Sequence, residues 1–247
     1  MLLDQTKTVR DLALSIPNAT RIFEKAKIDY CCGGNKPLDE ACTQAGVDIE
    51  EIVRQLSEVA PTVSLSADAA DFKAGSLAEL ANHIVNKHHV FTRDECQRLT
   101  ALLEKVCAAH DTNHPHLREI QANFGSLRAE LEPHMLKEEG ILFPYITRLE
   151  ASIFENSPAP FAPFGTVRNP IAAMMREHDA AGDILKTIRQ LSGNFALPED
   201  ACFSYRILYS ALEELEADLH QHIHLENNIL FPRAVEIENS VLSAVSV

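Results

Sequence analysis

The sequence predicts an all-α protein: an up-down four-helix bundle preceded by a small helical N-terminal domain. Three observations lead there. Glycine is scarce, with 9 in 247 residues, tryptophan is absent, and alternating strand patterns are hard to find. Four long stretches carry apolar residues in steps of three and four, the period of a helix with one buried stripe. And the chain repeats itself: HMLKEEGILFP at 134 to 144 returns as HIHLENNILFP at 222 to 232, both reading H-x-x-x-E-[EN]-x-I-L-F-P.

Residues 1–59 read as short helices. One begins at VDIEEIVRQL, with Asp48 as N-cap and Glu51 at the capping-box position. Residues 60–75, APTVSLSADAADFKAG with its neighbours, lose periodicity and read as a linker. SLAE, with Ser76 and Glu79, opens the bundle at 76–247 with a second capping box. Helix A runs from about 76 to 109. Asn113 and Pro115 start helix B, which the proline rule ends at Pro144. The Pro-rich NSPAPFAPFGTVRNP connects to helix C, from about Pro170 to SGN at 192–194. Helix D starts near Pro198 and ends at Pro232. Short A–B and C–D links imply antiparallel hairpins.

Bulk properties exclude several classes. A formal charge of -14 repels phosphate backbones and anionic lipid, so neither nucleic acid nor a membrane surface is an expected partner. Asp4 and Asp11 break the apolar start, which argues against a signal peptide, and no run reaches the roughly 18 apolar residues of a membrane span. Six cysteines without an export signal point to free thiols in a reducing cytoplasm.

The seams carry polar residues. Helix B's stripe is Ile120, Phe124, Leu127, Leu131, His134, Glu138 and Ile141. Helix D's is Leu212, Leu215, Leu219, His222, Glu226 and Ile229, and helix C's is Ile171, Met174, His178, Ala181, Leu185 and Ile188. A single His-x-x-x-Glu pair is common on solvated helix faces, and a buried hydrogen-bond network is the bland account of a polar seam. Two copies in register with a seam demand more, because an uncompensated buried charge costs several kcal/mol. Residues four apart share a helix face, so each copy offers an imidazole nitrogen and a carboxylate oxygen to one centre. Carboxylates bridge two metals, and the His/carboxylate mixture suits iron or manganese. His178 precedes His222 by 44 residues, and stepping back similarly from His134 reaches KHHV. There the stripe Ile84, His88, Phe91, Glu95, Leu99 competes with Val85, His89, Thr92, Cys96, Leu99, and periodicity leaves both histidines open.

ALSIPNATRIFEKAKIDYCCGG, followed by HMLKEEGILFP, REHDAAG and HIHLENNILFP, resembles the iron–sulfur cluster repair di-iron family along the whole chain. The resemblance implies a hemerythrin-like bundle holding two non-haem irons with a carboxylate-bridged centre. It also implies a stress-response role in restoring damaged iron–sulfur proteins by donating iron. It carries the metal-ligand role to His89, His134, Glu138, His178, His222 and Glu226, favouring His89 because it stands four residues before Arg93. Glu130 and Glu177 match acidic positions beside the centre, as outer-shell or iron-exit residues. Cys31 and Cys32 match transfer or redox thiols. The ligand pattern departs from the five histidines of hemerythrins proper, which argues against reversible oxygen carriage. The runner-up functions are a di-iron enzyme or a sensor acting on nitric oxide or oxygen species, with a homodimer as a further option.

On the residues alone, Cys31 and Cys32 are two thiols at a turn, with the helix start at NKPLDEA expected to favour the thiolate. Cys42, Cys96, Cys107 and Cys202 are expected as small buried hydrophobes. His220 and His224, off the helix D seam, are expected at the surface. His110, His114 and His116 mark the A–B turn, with His110 a further candidate to approach the site from the bundle end.

Overall fold

The computed structural model describes residues 7–16, 18–59, 75–155 and 157–245. The expected linker, apart from Gly75, lies outside them. Four short helices come first: α1 (Val9–Ser15), α2 (Ala19–Ala26), α3 (Leu38–Ala45) and α4 (Ile49–Val59). They close around their own apolar core, in which Phe23, Leu38 and Leu56 are fully buried. Thr8 and Asp11 form a reciprocal capping box on α1, and Asp48 caps α4 by accepting the Glu50 N–H. The Glu51 carboxylate, expected to complete that box, instead binds Arg54 and Gln55 on the helix surface.

Four long rods follow. Rod A comprises α5 (Leu77–His83), a π segment (Ile84–His89) and α6 (Val90–His110). Rod B comprises α7 (His116–Lys137), a π segment (Glu138–Leu142) and α8 (Phe143–Phe154). Rod C is α9 (Arg168–Leu191), and rod D comprises α10 (Phe203–Leu225), a π segment (Glu226–Leu230) and α11 (Phe231–Val245). A packs on B and D, and B packs on C. The fold is all-α, and no helix among the described residues is long and apolar enough to cross a membrane.

The π segments correct three expectations. First, Pro144 and Pro232 do not end rods B and D. The Phe143 and Phe231 N–H groups reach back to the carbonyls of Glu138 and Glu226, closing wide turns. Each proline then falls in the first turn of a new α register, where its missing N–H removes no helical bond. Second, the extra residue rotates rod B, so Ile141 is 51% exposed and Leu142 faces the core. Third, rod A follows each of its two competing stripes in part: Ile84 and His88 of one are buried, as are His89, Thr92, Cys96 and Leu99 of the other, while Val85, Phe91 and Glu95 are only partly buried. Rod D also starts later than Pro198, at Phe203, with Cys202 as its N-cap.

Two buried carboxylates anchor the rods. Glu150, from rod B, accepts the Ser76 hydroxyl and the Leu77 and Ala78 N–H groups at 2.7, 2.7 and 3.0 Å. It does at the start of rod A what Glu79 was expected to do. Glu238, from rod D, accepts the Val167 N–H at 2.8 Å, the Tyr145 hydroxyl at 2.9 Å and the Thr166 hydroxyl. Each carboxylate neutralises orphan donors at a helix N-terminus. The two sit at equivalent positions of the repeat, so the duplication extends beyond the quoted motif.

The N-terminal unit seats on rods C and D. Tyr30, 1% exposed, donates its hydroxyl to Glu24 and accepts from Gln221, while its carbonyl accepts from Asn228. His220 binds Glu24 at 3.0 Å, and His224, 1% exposed, lies against the Tyr30 ring and bonds Asn228. His220 and His224 are thus not plain surface histidines. Their helix face is covered by a unit whose docking the bundle sequence alone does not announce.

Candidate metal centre

The three π segments fall where the repeated His and Glu residues sit, in keeping with the tendency of such insertions to mark functional positions. Wide turns push side chains inward and bring rods A to D to one level. There the ligand atoms of His89, Glu138, His222 and Glu226 lie within 4.8 Å of one another, as do those of His134, Glu138, His178 and Glu226. The two glutamates belong to both groups. All six residues are at most 3% exposed.

The imidazoles meet through Nε2: His89 and His222 at 3.2 Å, His134 and His178 at 3.1 Å. Their opposite nitrogens are held from outside. Nδ1 of His89 binds Glu139 at 2.6 Å, Nδ1 of His134 binds Glu177 at 2.8 Å, and Nδ1 of His178 binds Asn227 at 3.0 Å. A carboxylate or amide oxygen at Nδ1 accepts its proton and leaves the Nε2 lone pair facing inward, the arrangement that orients metal-bound histidines. The exception is His222, whose buried Nδ1 has no partner. Its ring stacks instead on His88 at 5.8 Å, and His88 turns its own Nδ1 to Asp218 at 2.9 Å.

Electrostatically the six residues suit a cation. Burial opposes charge on His134, yet the carboxylates of Glu138, Glu226 and Glu177 raise its proton affinity to about 9. His89 is raised in the same way against burial, chiefly by Glu138. Burial likewise opposes the charge on Glu226, but His222 and His178 hold it well below its ordinary value. Burial and Glu226 oppose the charge on Glu138, and His134 and His89 still bring it lower. Both oxygens of Glu138 and Oε2 of Glu226 nevertheless lack a hydrogen-bond donor. Their nearest imidazole nitrogens, at 3.1 to 3.4 Å, are not aligned to donate. Buried carboxylate oxygens without donors, facing inward lone pairs, fit a metal centre better than a self-contained hydrogen-bond network.

The remaining expected residues fall out differently. Glu177 contacts His134 and is tied to Lys137. Glu130 is exposed, on the wall of a narrow cavity that also involves Leu131 and Leu219 and reaches His134, His178 and His222. His110 closes the 21-residue α6, roughly 30 Å along the rod at 1.5 Å per residue, and so does not approach the site. Glu139 and Asn227 were missed by sequence reasoning. The signal was the [EN] position of the motif, whose function appears only when rods A and C are placed beside it.

Cys31 and Cys32 sit at the docking face. The Asp29 carboxylate accepts the N–H groups of Cys31, Cys32 and Gly33 at 3.2, 3.0 and 2.9 Å. A Cβ at Gly34 would lie 2.7 Å from the Tyr30 carbonyl oxygen, and one at Gly33 would press on Asp29. The two glycines therefore permit the turn. The sulfurs are 4.0 Å apart, as free thiols. Cys31 is not favoured as a thiolate: the Cys32 sulfur, burial and the Asp29 carboxylate push it well above its ordinary value. The helix start expected to do the opposite lies farther on, at Leu38. Cys32 rests against Gly182 of rod C, where an added Cβ would be 3.9 Å from its sulfur. Gly182 is one turn beyond His178.

Comparison with known proteins places this geometry. Residues 5–60 match a family described as Domain of Unknown function (DUF542), and residues 80–234 match the Hemerythrin HHE cation binding domain. The chain is similar to a probable iron-sulfur cluster repair protein of Haemophilus influenzae, 37% identical over 91% of this chain and 95% of the relative. It is also similar to the iron-sulfur cluster repair protein YtfE of Edwardsiella ictaluri, 37% identical over 91% and 95% of the two chains. The YtfE protein of Yersinia pseudotuberculosis is 36% identical over 92% and 96%.

Proposed function

We propose, from the premise that this chain belongs to the hemerythrin-like iron–sulfur cluster repair family, that it restores damaged iron–sulfur proteins by donating iron from a two-iron centre. The observation that carries the reading is the pair of overlapping four-residue groups sharing Glu138 and Glu226. His89 and His222 would hold one iron, His134 and His178 the other, and both glutamates would bridge. Carboxylate and imidazole ligands bind only when deprotonated, so acid releases the metal, and they grip it less permanently than a thiolate cage. The iron is the cargo in this reading. Cys31 and Cys32, beside rod C, would receive or guide it on the way to a damaged client protein.

The test is anaerobic transfer from the iron-loaded protein to a cluster-depleted dehydratase. The wild type should carry about two irons per chain and restore activity. Cys31→Ala with Cys32→Ala should keep its iron and repair poorly. His89→Ala should lose iron, while His88→Ala, altering a residue that faces Asp218, should largely retain it. One iron per chain without coupled-iron spectroscopy would remove the dinuclear reading, and full repair by the double cysteine variant would remove the transfer role.

The cavity reaching three of the histidines favours a second reading, a di-iron enzyme or sensor acting on nitric oxide or oxygen species. Sustained nitric oxide consumption without iron loss would select it.

A further inference from the structure

The far end of the bundle carries a second cluster of metal-binding groups that the repair reading leaves unused. His110 ends α6, His114 lies in the A–B turn, and Asp200 lies in the C–D turn just before rod D. Their ligand atoms all lie within 4.8 Å of one another. His114 Nε2 is 2.8 Å from Asp200 Oδ1, and the His110 and His114 rings are 6.1 Å apart. Cys202, the N-cap of rod D, is exposed and not the small buried hydrophobe expected of it.

A hydrogen bond between His114 and Asp200 would account for two of these groups. It does not account for a ring nitrogen of His110 lying within 4.8 Å of both. Two imidazoles and a carboxylate form a three-ligand donor set of the zinc type, with a fourth position for water. The donors come from two different turns, and His114 and Asp200 remain accessible, with side chains 15% and 51% exposed.

We propose that His110, His114 and Asp200 bind one zinc-type divalent cation that clips the A–B turn to the C–D turn, roughly 30 Å from the six-residue centre. This cluster stands at the surface and the six-residue centre is buried, so with iron filling the buried centre an added cation reports on the surface cluster. A cation bridging two turns also ties its binding energy to the folded bundle.

The experiment uses the full-length, iron-loaded protein without reductively labile additives. Titration with cobalt(II) should give visible d–d bands at one equivalent. The bands should persist in Cys31→Ala with Cys32→Ala and vanish in His110→Ala. Titration with zinc(II) should raise the thermal midpoint of the wild type, and His114→Ala should bind zinc tenfold or more weakly, since even losing a ligand's supporting partner costs roughly that much. Bands unaltered in His110→Ala, or zinc uptake unaltered in His114→Ala, would overturn the proposal.

Discussion

Asn227 and Glu139 touch no metal-facing atom, yet each fixes a histidine from a different rod. Asn227→Ala would leave His178 free to rotate and Glu139→Ala would do the same to His89. Losing such a partner typically costs roughly 10–100-fold in metal affinity. The expected outcome is that both variants fold with normal helix content and bind iron more weakly by that factor. Competition with a chelator of known affinity measures it, and unchanged affinity would show that packing alone holds the rings. Glu139 is also bound by Arg93 at 2.8 Å, so Arg93→Ala should give a smaller loss in the same direction.

At the scale of elements, Glu150 and Glu238 are the long-range caps of rods A and C. Glu150→Ala strands the Leu77 N–H and the Ser76 hydroxyl, while the Ala78 N–H keeps its bond to the Ser76 hydroxyl oxygen. Leaving a buried polar group unpaired costs about 1–3 kcal/mol, more where the lost partner is charged. Chemical denaturation should therefore show a loss of about 3 kcal/mol for Glu150→Ala, and a similar loss for Glu238→Ala. A loss below 1 kcal/mol would mean that water replaces the carboxylate. These caps also show what the sequence conceals. The helical period made the four rods legible, and the repeat made His134, Glu138, His222 and Glu226 stand out, because both are local patterns. The π segments are not local patterns. In rods B and D they accommodate inward-turned polar residues and a following proline together, while rod A's has no proline after it, and no single residue type marks them. For the same reason Ile141 was expected inside and the rods were expected to stop at Pro144 and Pro232.

For the whole molecule, the differences between the two repeats record where the N-terminal unit docks. Leu136 of rod B is 59% exposed, while its counterpart His224 in rod D is 1% exposed beneath Tyr30. Gly140 of rod B becomes Asn228 of rod D, which donates to the Tyr30 carbonyl and offers its own carbonyl to Arg10. Asn228→Ala should weaken this seat by about 1 kcal/mol, the usual worth of one such bond. Hydrogen exchange should accelerate at residues 28–34 while the amides of rods A to C stay protected. A uniform acceleration would instead show that the two parts unfold as one. We propose that the chain from Gly75 onward folds and holds iron alone, since all six proposed ligands and both caps lie within it. Its midpoint should fall relative to the full chain, because the seat of Tyr30 is then uncovered.

The unpartnered Nδ1 of His222 has a kinetic consequence. A perfectly doubled hairpin would make two identical sockets, emptied at the same rate. Here the socket of His134 and His178 has both rings braced by Glu177 and Asn227, whereas that of His89 and His222 has one ring braced and one free. The two irons proposed for this chamber would then leave in a fixed order, first from the loosely braced side. A chelator added to the fully loaded protein should draw iron in two phases of equal amplitude. Asn227→Ala, which unbraces the other socket, should merge them into one. On the proposed two-iron donor reading, a protein built this way would surrender a single ion and keep its partner in place, so that each encounter delivers a counted dose.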